Sequence, residues 1–300
     1  MVRKVGIIGA GIMGAGIAQV CALAGIEVVL QDISEERVQA SKATIAKALK
    51  KPVDLSRNPD QSMLRIYWNG GDALSRIATT LDFDDFSDCD LILEAATENE
   101  EIKKGILKGA ARFLKPTAIL ATNTSSISIS KLASYSGVPE RFLGIHFMNP
   151  APVMKLVEII SAPDTSEDTI QTVIDFLDGT LGKTTVEASD SPGFILNRIL
   201  IPEVNEGIYA LYEGVGTVKG IDTAMKLGSN QPMGPLELAD LIGLDTVLSI
   251  MQVLEDGLGE KYRPCPLLME YVREGRLGRK SGKGFYDYSI TPPVPLPRKT

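Results

Sequence analysis

His146 is the single histidine of this 300-residue chain, and it closes the apolar run Phe142-Leu143-Gly144-Ile145. An imidazole is the side chain best suited to moving a proton near neutral pH, although a lone histidine is more often a structural one. Glu158 tips the balance. It lies in Lys155-Leu156-Val157-Glu158-Ile159-Ile160, where its neighbours are mostly aliphatic. A carboxylate buried in such a strand needs a partner or a proton. The intervening Met148-Asn149-Pro150-Ala151-Pro152 loop can bring Glu158 back beside His146. The carboxylate would then fix the imidazole tautomer, favour the protonated ring and leave the other ring nitrogen for a substrate proton. The bland alternative is a solvated glutamate on an edge strand.

Two further polar groups stand in telling places. Asn123-Thr124-Ser125-Ser126 follows an apolar stretch at residues 118–121. Ser125 there either hydrogen-bonds a substrate oxygen or caps a helix. Asn197 falls early in a strongly apolar helical stretch, within Pro192-Gly193-Phe194-Ile195-Leu196-Asn197-Arg198. Asparagine is unfavourable inside a helix unless it has a task, either at a site or in a buried helix–helix hydrogen bond.

Near the N-terminus, Gly9-Ala10-Gly11-Ile12-Met13-Gly14 fits G-x-G-x-x-G between an apolar strand and an apolar helix, the context that the motif requires. Gly9 permits the tight turn, Gly11 lets the backbone approach a pyrophosphate, and Gly14 lets helix and strand pack closely. Ile12 and Met13 belong to the helix N-terminus, whose free N–H groups and partial positive charge attract an anion. The next strand pattern ends in Asp32. An acid about 20 residues past the motif accepts hydrogen bonds from an adenosine ribose and repels a 2′-phosphate, which favours NAD over NADP. Flavin enzymes use the same fingerprint, so the later polar residues must decide the chemistry.

The elements that would hold these groups alternate through the first half. Residues 5–8, 27–31, 91–93, 118–121, 142–146, 156–160 and 184–187 read as strands, and 12–23, 35–51 and 100–114 as helices. This alternation predicts an α/β, Rossmann-type doubly wound parallel sheet covered on both faces. Beyond Ser189-Asp190-Ser191-Pro192-Gly193 no clear strand remains, and residues 194–212, 217–227, 236–253 and 266–274 read as helices. The expected organisation is a dinucleotide-binding domain at 1–187, an all-helical C-terminal domain at 188–288 and a proline-rich, disordered tail at 289–300.

Composition narrows the partners. A net charge of −7 argues against general nucleic-acid binding, and 44% hydrophobic content is ample for a full core. Cys21, Cys89 and Cys265 are widely spaced and odd in number, implying neither a disulfide framework nor a metal site. No apolar run is long enough to span a bilayer, and a strand pattern begins within a few residues of the start. A cytoplasmic protein with no membrane or nucleic-acid partner is expected.

Taken together, the residues resemble the 3-hydroxyacyl-CoA dehydrogenase family. The resemblance runs from Val5 to about Tyr288 and rests on ordered stretches. These are Gly9–Gly14, Glu94-Ala95-Ala96-Thr97-Glu98-Asn99, Asn123–Ser126, His146-Phe147-Met148-Asn149-Pro150, Met154-Lys155-Leu156-Val157-Glu158, Pro192–Arg198, Pro232-Met233-Gly234-Pro235 and Gly282-Lys283-Gly284-Phe285-Tyr286. The resemblance implies NAD as cofactor and an acyl-CoA substrate. It makes His146 the general base in oxidation and the general acid in reduction, with Glu158 orienting it. It implies that Ser125 and Asn197 hold the substrate oxygen, that Asn149 helps set the site, and that Glu98, Lys103 and Asn123 match cofactor-contacting positions. It also implies a homodimer formed through the C-terminal domain.

One segment departs from the pattern. Relatives carry there a helical hairpin with a serine and a lysine that contact CoA, where this chain has Ala48 and Leu55. Pro52, Asn58-Pro59 and Trp68-Asn69-Gly70-Gly71 also differ, while Lys50, Lys51 and Arg57 remain near in sequence to meet phosphates. Two other readings therefore stand beside the first: a sister dehydrogenase acting on a dicarboxylyl-CoA or a free hydroxy acid, and an NAD-binding structural or regulatory protein without turnover.

Overall fold

The computed structural model describes residues 1–50 and 70–297. It divides into two compact units, Met1–Ser191 and Pro192–Thr300, against a sequence-based boundary near residue 188. The departure at residues 48–71 falls mostly outside the described residues, among them Lys51, Pro52, Leu55, Arg57, Asn58, Pro59, Trp68 and Asn69.

The first unit is built on an eight-stranded sheet. Its strands are β1 (Lys4–Ile8), β2 (Glu27–Gln31), β3 (Ile77–Thr80), β4 (Leu91–Glu94), β5 (Ile119–Thr122), β6 (Phe142–Phe147), β7 (Leu156–Ser161) and β8 (Thr184–Ala188). They lie in the order β3-β2-β1-β4-β5-β6-β7-β8. Strands β4, β5 and β6 are buried at every position, as expected for strands covered on both faces. The covering helices are α1 (Ile12–Leu23), α2 (Glu35–Leu49), α3 (Glu100–Ala111), α4 (Ile129–Ser136) and α5 (Glu167–Ile174). Ile7, Ile17, Leu30, Leu93, Ile145 and Val157 are among the residues of one shared core.

The sheet is not wholly parallel. From β3 to β6 all pairings are parallel, but β6 pairs β7 antiparallel and β7 pairs β8 parallel. The cause is the short connection after β6. A parallel return needs a crossover of a dozen residues or more, whereas a short loop can only fold the chain back on itself. Strand β3 and helices α4 and α5, absent from the sequence-based expectation, complete the unit.

The second unit contains α6 (Leu196–Tyr212), α7 (Val218–Gly228), α8 (Pro235–Ile242), α9 (Leu244–Leu258) and α10 (Pro266–Arg273). The helix expected over 236–253 is two helices. Gly243 separates them at φ +101, a left-handed conformation that a helix cannot contain. Two expectations about the C-terminus need correction. A short antiparallel ladder, β9 (Tyr286–Asp287) with β10 (Val294–Pro295), follows the helices, and the tail up to 297 is folded back rather than disordered. The backbone N–H of Leu296 donates to the carbonyl of Phe285. Buried Asp240 holds the segment by accepting from the N–H groups of Phe285 and Tyr286 and from the Tyr288 hydroxyl. Residues 298–300 lie outside the described residues. Among the described residues no helix is long and apolar enough to cross a membrane.

Candidate active site

Ligands of open α/β sheets sit beyond the carboxyl ends of the parallel strands. Register places Ile8 beside Glu94, Glu94 beside Thr122, and Thr122 beside Gly144. The residues that follow these positions therefore share one edge, which carries Gly9, Asn123 and His146 together.

The first turn at this edge is shaped for an anion. Gly9 has φ +101, and a Cβ on Gly14 would lie 1.8 Å from the Gly9 carbonyl oxygen, so both positions exclude side chains for reasons internal to the fold. Gly11 is different: a Cβ there would meet no atom of the chain within 4 Å. The open space in front of it suits a pyrophosphate approaching the backbone. Helix α1 begins without a side-chain cap, whereas α2, α3, α4 and α5 are capped by Ser34, Asn99, Ser128 and Ser166. Uncapped N–H groups at a helix start are an anion site. Ile12 is 81% exposed over this turn, and Met13 packs at the rim of the core.

Asp32 stands on the same side. Its Oδ2 accepts from the N–H of Ala10 at 2.8 Å, and its Oδ1 from that of Ile33 at 2.7 Å. The acid is thus tied to the turn, and each oxygen keeps a second lone pair for a ribose hydroxyl. A cleft of about 350 Å³ opens here, lined by Ala10, Gly11, Ile12, Asp32 and Arg37 among others. The Arg37 guanidinium lies 3.6 Å from Asp32. The groups present fit NAD: an anion cradle, an acid tied beside it and an open cleft in front.

His146 and Glu158 face each other directly across the β6–β7 pair. Nδ1 of His146 lies 2.7 Å from Oε2 of Glu158, with side chains 8% and 1% exposed. A carboxylate at Nδ1 requires a proton there, so in the neutral ring Nε2 is the basic nitrogen. The antiparallel return of β7 is what makes this geometry possible. Asn123 supports it from β5: its Oδ1 accepts from the N–H of Phe147 at 2.9 Å, fixing the residue after the histidine. Asn149 is exposed in the loop between the two strands, before a cis peptide bond to Pro150.

Ser125 sits in a cluster built around Glu98. Oε1 of Glu98 accepts from the backbone N–H of Ser125 at 2.8 Å and of Ser126 at 3.1 Å. The hydroxyls of Thr124, Ser125 and Ser126 donate to the same oxygen. Burial pushes the Glu98 carboxyl up, but the Lys103 charge and these donors outweigh it and hold the acid below its ordinary value. Lys103 is buried beneath, its ammonium 2.7 Å from Glu94 and 3.6 Å from Glu98. Glu94 also accepts from the Thr122 hydroxyl and the Ala96 N–H.

Sequence reasoning missed Glu94 and Asp190. Asp190 accepts from the Ser128 hydroxyl and from the N–H groups of Ile129 and Ser130, and so caps the helix that follows the Ser125 loop. Its carboxyl is raised by burial, yet the same donors bring it below the ordinary value. An acid closing the otherwise apolar β4 run was the available signal for Glu94. Asp190 had none, because its partners are distant in sequence. Asn197 belongs to the second unit, nearly buried in the first turn of α6.

Comparison with known proteins points to one family across both units. Residues 4–191 match the family model "3-hydroxyacyl-CoA dehydrogenase, NAD binding domain", and residues 193–288 match "3-hydroxyacyl-CoA dehydrogenase, C-terminal domain". A 3-hydroxybutyryl-CoA dehydrogenase of Bradyrhizobium diazoefficiens is 53% identical over 98% of each chain. A probable 3-hydroxybutyryl-CoA dehydrogenase of Bacillus subtilis is 45% identical over 96% of this chain and 98% of its own. The crystal structure of (S)-3-hydroxybutyryl-CoA dehydrogenase from Ralstonia eutropha superposes with a TM-score of 0.87 at 45% identity, covering 97% of this chain and all of that one (100%).

Proposed function

Because the chain belongs to the 3-hydroxyacyl-CoA dehydrogenase family, we propose that it oxidises (S)-3-hydroxyacyl-CoA, 3-hydroxybutyryl-CoA foremost, to the 3-ketoacyl thioester and catalyses the reverse reduction. The observation that carries the reading is the 2.7 Å contact between His146 and Glu158 at the carboxyl edge of a dinucleotide-binding sheet. NAD, when bound, supplies the hydride acceptor. Nε2 of His146 takes the proton of the 3-hydroxyl as the C3–H electron pair leaves. Glu158 stabilises the imidazolium that forms, and in the reduction the same imidazolium returns the proton. Ser125 and Asn197 steady the substrate oxygen as its charge changes, with Asn149 shaping the site beside the histidine. Glu98 and Asn123 order the strand ends beneath, and Gly9, Gly11, Ile12, Met13, Gly14 and Asp32 grip the cofactor. Lys103 supports that grip through Glu98.

The second unit is the dimerisation surface in this reading. Ile199, Leu227 and Leu241 are 65%, 82% and 49% exposed, more apolar surface than an isolated helical layer would leave open. A largely apolar groove of about 390 Å³, lined by Leu200, Val204, Met233 and Leu238 among others, lies on this unit. Sedimentation at micromolar concentration should give a dimer, and a purely monomeric species would remove the claim. Three free, buried cysteines fit a reducing, cytoplasmic setting.

The activity is tested by following NADH formation with 3-hydroxybutyryl-CoA beside free 3-hydroxybutyrate and a 3-hydroxydicarboxylyl-CoA. Turnover should be highest with 3-hydroxybutyryl-CoA. Preference for the free acid or the dicarboxylyl thioester would replace the substrate assignment, and NAD binding without any turnover would replace the enzyme assignment.

A further inference from the structure

Lys183 is a lysine in an unusual position. It immediately precedes β8 and is 5% exposed. No carboxylate faces its ammonium among the described residues; the titratable neighbour is the thiol of Cys21 on α1. Burying an ammonium without a counter-charge is unfavourable, and the structure compensates with backbone oxygens. Nζ donates to the carbonyl of Ala151 at 2.7 Å and to that of Met154 at 2.8 Å. Both carbonyls belong to the loop that joins the His146 strand to the Glu158 strand.

A second, independent contact meets the same loop from the cofactor side. Gly16 lies in α1, the helix whose N-terminus forms the anion cradle. A Cβ on Gly16 would come within 3.3 Å of the Ala151 Cβ and 3.2 Å of the Pro152 Cδ, closer than the roughly 3.5–4.0 Å of ordinary carbon contacts. The loop is therefore seated closely against α1, where a methyl group would require it to give by a few tenths of an ångström, and it is hooked in place by Lys183. Its backbone is also tied at the exit, where the Thr184 N–H donates to the Lys155 carbonyl.

We propose that Lys183 and Gly16 form a clasp that seats the His146–Glu158 hairpin loop on the cofactor-binding helix, making Lys183 a positioning residue for proton transfer. The proposal rests on the dehydrogenase reading above. The clasp sets the distance between the loop and the helix that carries NAD, and through it the placement of Asn149 and the entry of β7. Burial lowers the Lys183 amine to about 8 against a small opposing pull from Cys21. The neutral amine still has an N–H for each of the two carbonyls, so the clasp outlasts its own titration. Burial in turn raises the Cys21 thiol to about 12, which keeps it uncharged beside the ammonium.

Lys183→Met keeps the apolar stem and removes the donors. With 3-hydroxybutyryl-CoA, kcat should fall on the order of 10- to 100-fold, the scale set by a misplacement of about an ångström. KM for NAD should stay within about twofold, because the phosphate turn itself is untouched. Lys183→Arg should recover a large part of kcat. Gly16→Ala should reduce kcat in the same direction by pushing the loop. A folded Lys183→Met enzyme with wild-type kcat overturns the proposal. If that variant does not fold, Gly16→Ala decides alone, and unchanged kcat there overturns it equally. Loss of turnover in the wild type itself would instead indict the dehydrogenase reading.

Discussion

The ammonium of Lys103 lies 2.7 Å from a carboxylate oxygen of Glu94, and the two side chains are 1% and 0% exposed. Removing one partner of such a pair strands the other charge in a medium that cannot solvate it. Lys103→Met should destabilise the first unit by about 3–5 kcal/mol, read by urea denaturation. Combining it with Glu94→Gln should restore much of the loss, since a neutral pair buries no charge. If Lys103→Met weakens NAD binding but leaves the urea midpoint unchanged, the lysine acts on the cofactor directly rather than through Glu98.

The His146–Glu158 pair should behave as one unit. His146→Ala should lower turnover on the order of 10²–10⁴-fold, the usual range for a lost general acid–base. Glu158→Gln should lower turnover as well, because the carboxylate that fixes the ring tautomer and faces the imidazolium is gone. The double variant should be little worse than His146→Ala alone. NAD binding, followed by fluorescence quenching, should survive in all three. A folded Glu158→Gln enzyme with full activity would take Glu158 out of the mechanism.

Cofactor choice should depend on two residues of opposite charge. Asp32 disfavours a 2′-phosphate, while Arg37, 3.6 Å away in the same cleft, is placed to accept one. Wild-type enzyme should therefore prefer NADH over NADPH, and Asp32→Ala should weaken NADH and improve NADPH. Adding Arg37→Ala to Asp32→Ala should cancel the NADPH gain. Better use of NADPH by the wild type would refute the assignment of Asp32.

Asp240 predicts a pH dependence of stability. Burial raises its carboxyl from 3.8 to about 6 despite donors from Phe285, Tyr286 and Tyr288. The folded state then holds the proton more tightly than the unfolded chain. The stability it contributes is full below the ordinary value of 3.8 and is lost as pH rises through about 6. Two pH units correspond to on the order of 3 kcal/mol. The wild type's stability relative to Asp240→Asn should decline steadily across that window. A constant difference between the two proteins would mean that the acid is ionised throughout.

Legibility differed by the range of the interactions involved. The turn at Gly9, the helix after it and the acid at Asp32 form a local pattern, readable from spacing alone. The His146–Glu158 register was readable because a carboxylate among aliphatic residues demands a partner and a short loop offered one. Strand β3, four residues ending in two threonines, carries too little apolar signal to stand out. Helices α4 and α5 are only eight residues each, short of a clear period. The tail looked disordered because its prolines resist regular structure, yet β10 pairs with β9, and Asp240 and Asp222 hold that partner strand from helices far upstream. Asp222 accepts from the Tyr286 hydroxyl at 2.6 Å while capping α8 through Leu236 and Glu237. Such long-range satisfaction of buried acids leaves no trace in local spacing.

The direct opposition of His146 and Glu158 on neighbouring strands also governs which length changes the gene can tolerate. Side chains alternate between the two faces of a sheet, so a one-residue slip of β7 against β6 would turn Glu158 to the opposite face. A codon gained or lost inside either strand would therefore disable proton transfer while leaving the phosphate turn able to hold its cofactor. The intervening loop gives little relief, because Gly16 on one side and Lys183 on the other measure its path. Lineages descended from this enzyme should vary freely in the length of their exposed connections and hold the interval from His146 to Glu158 constant.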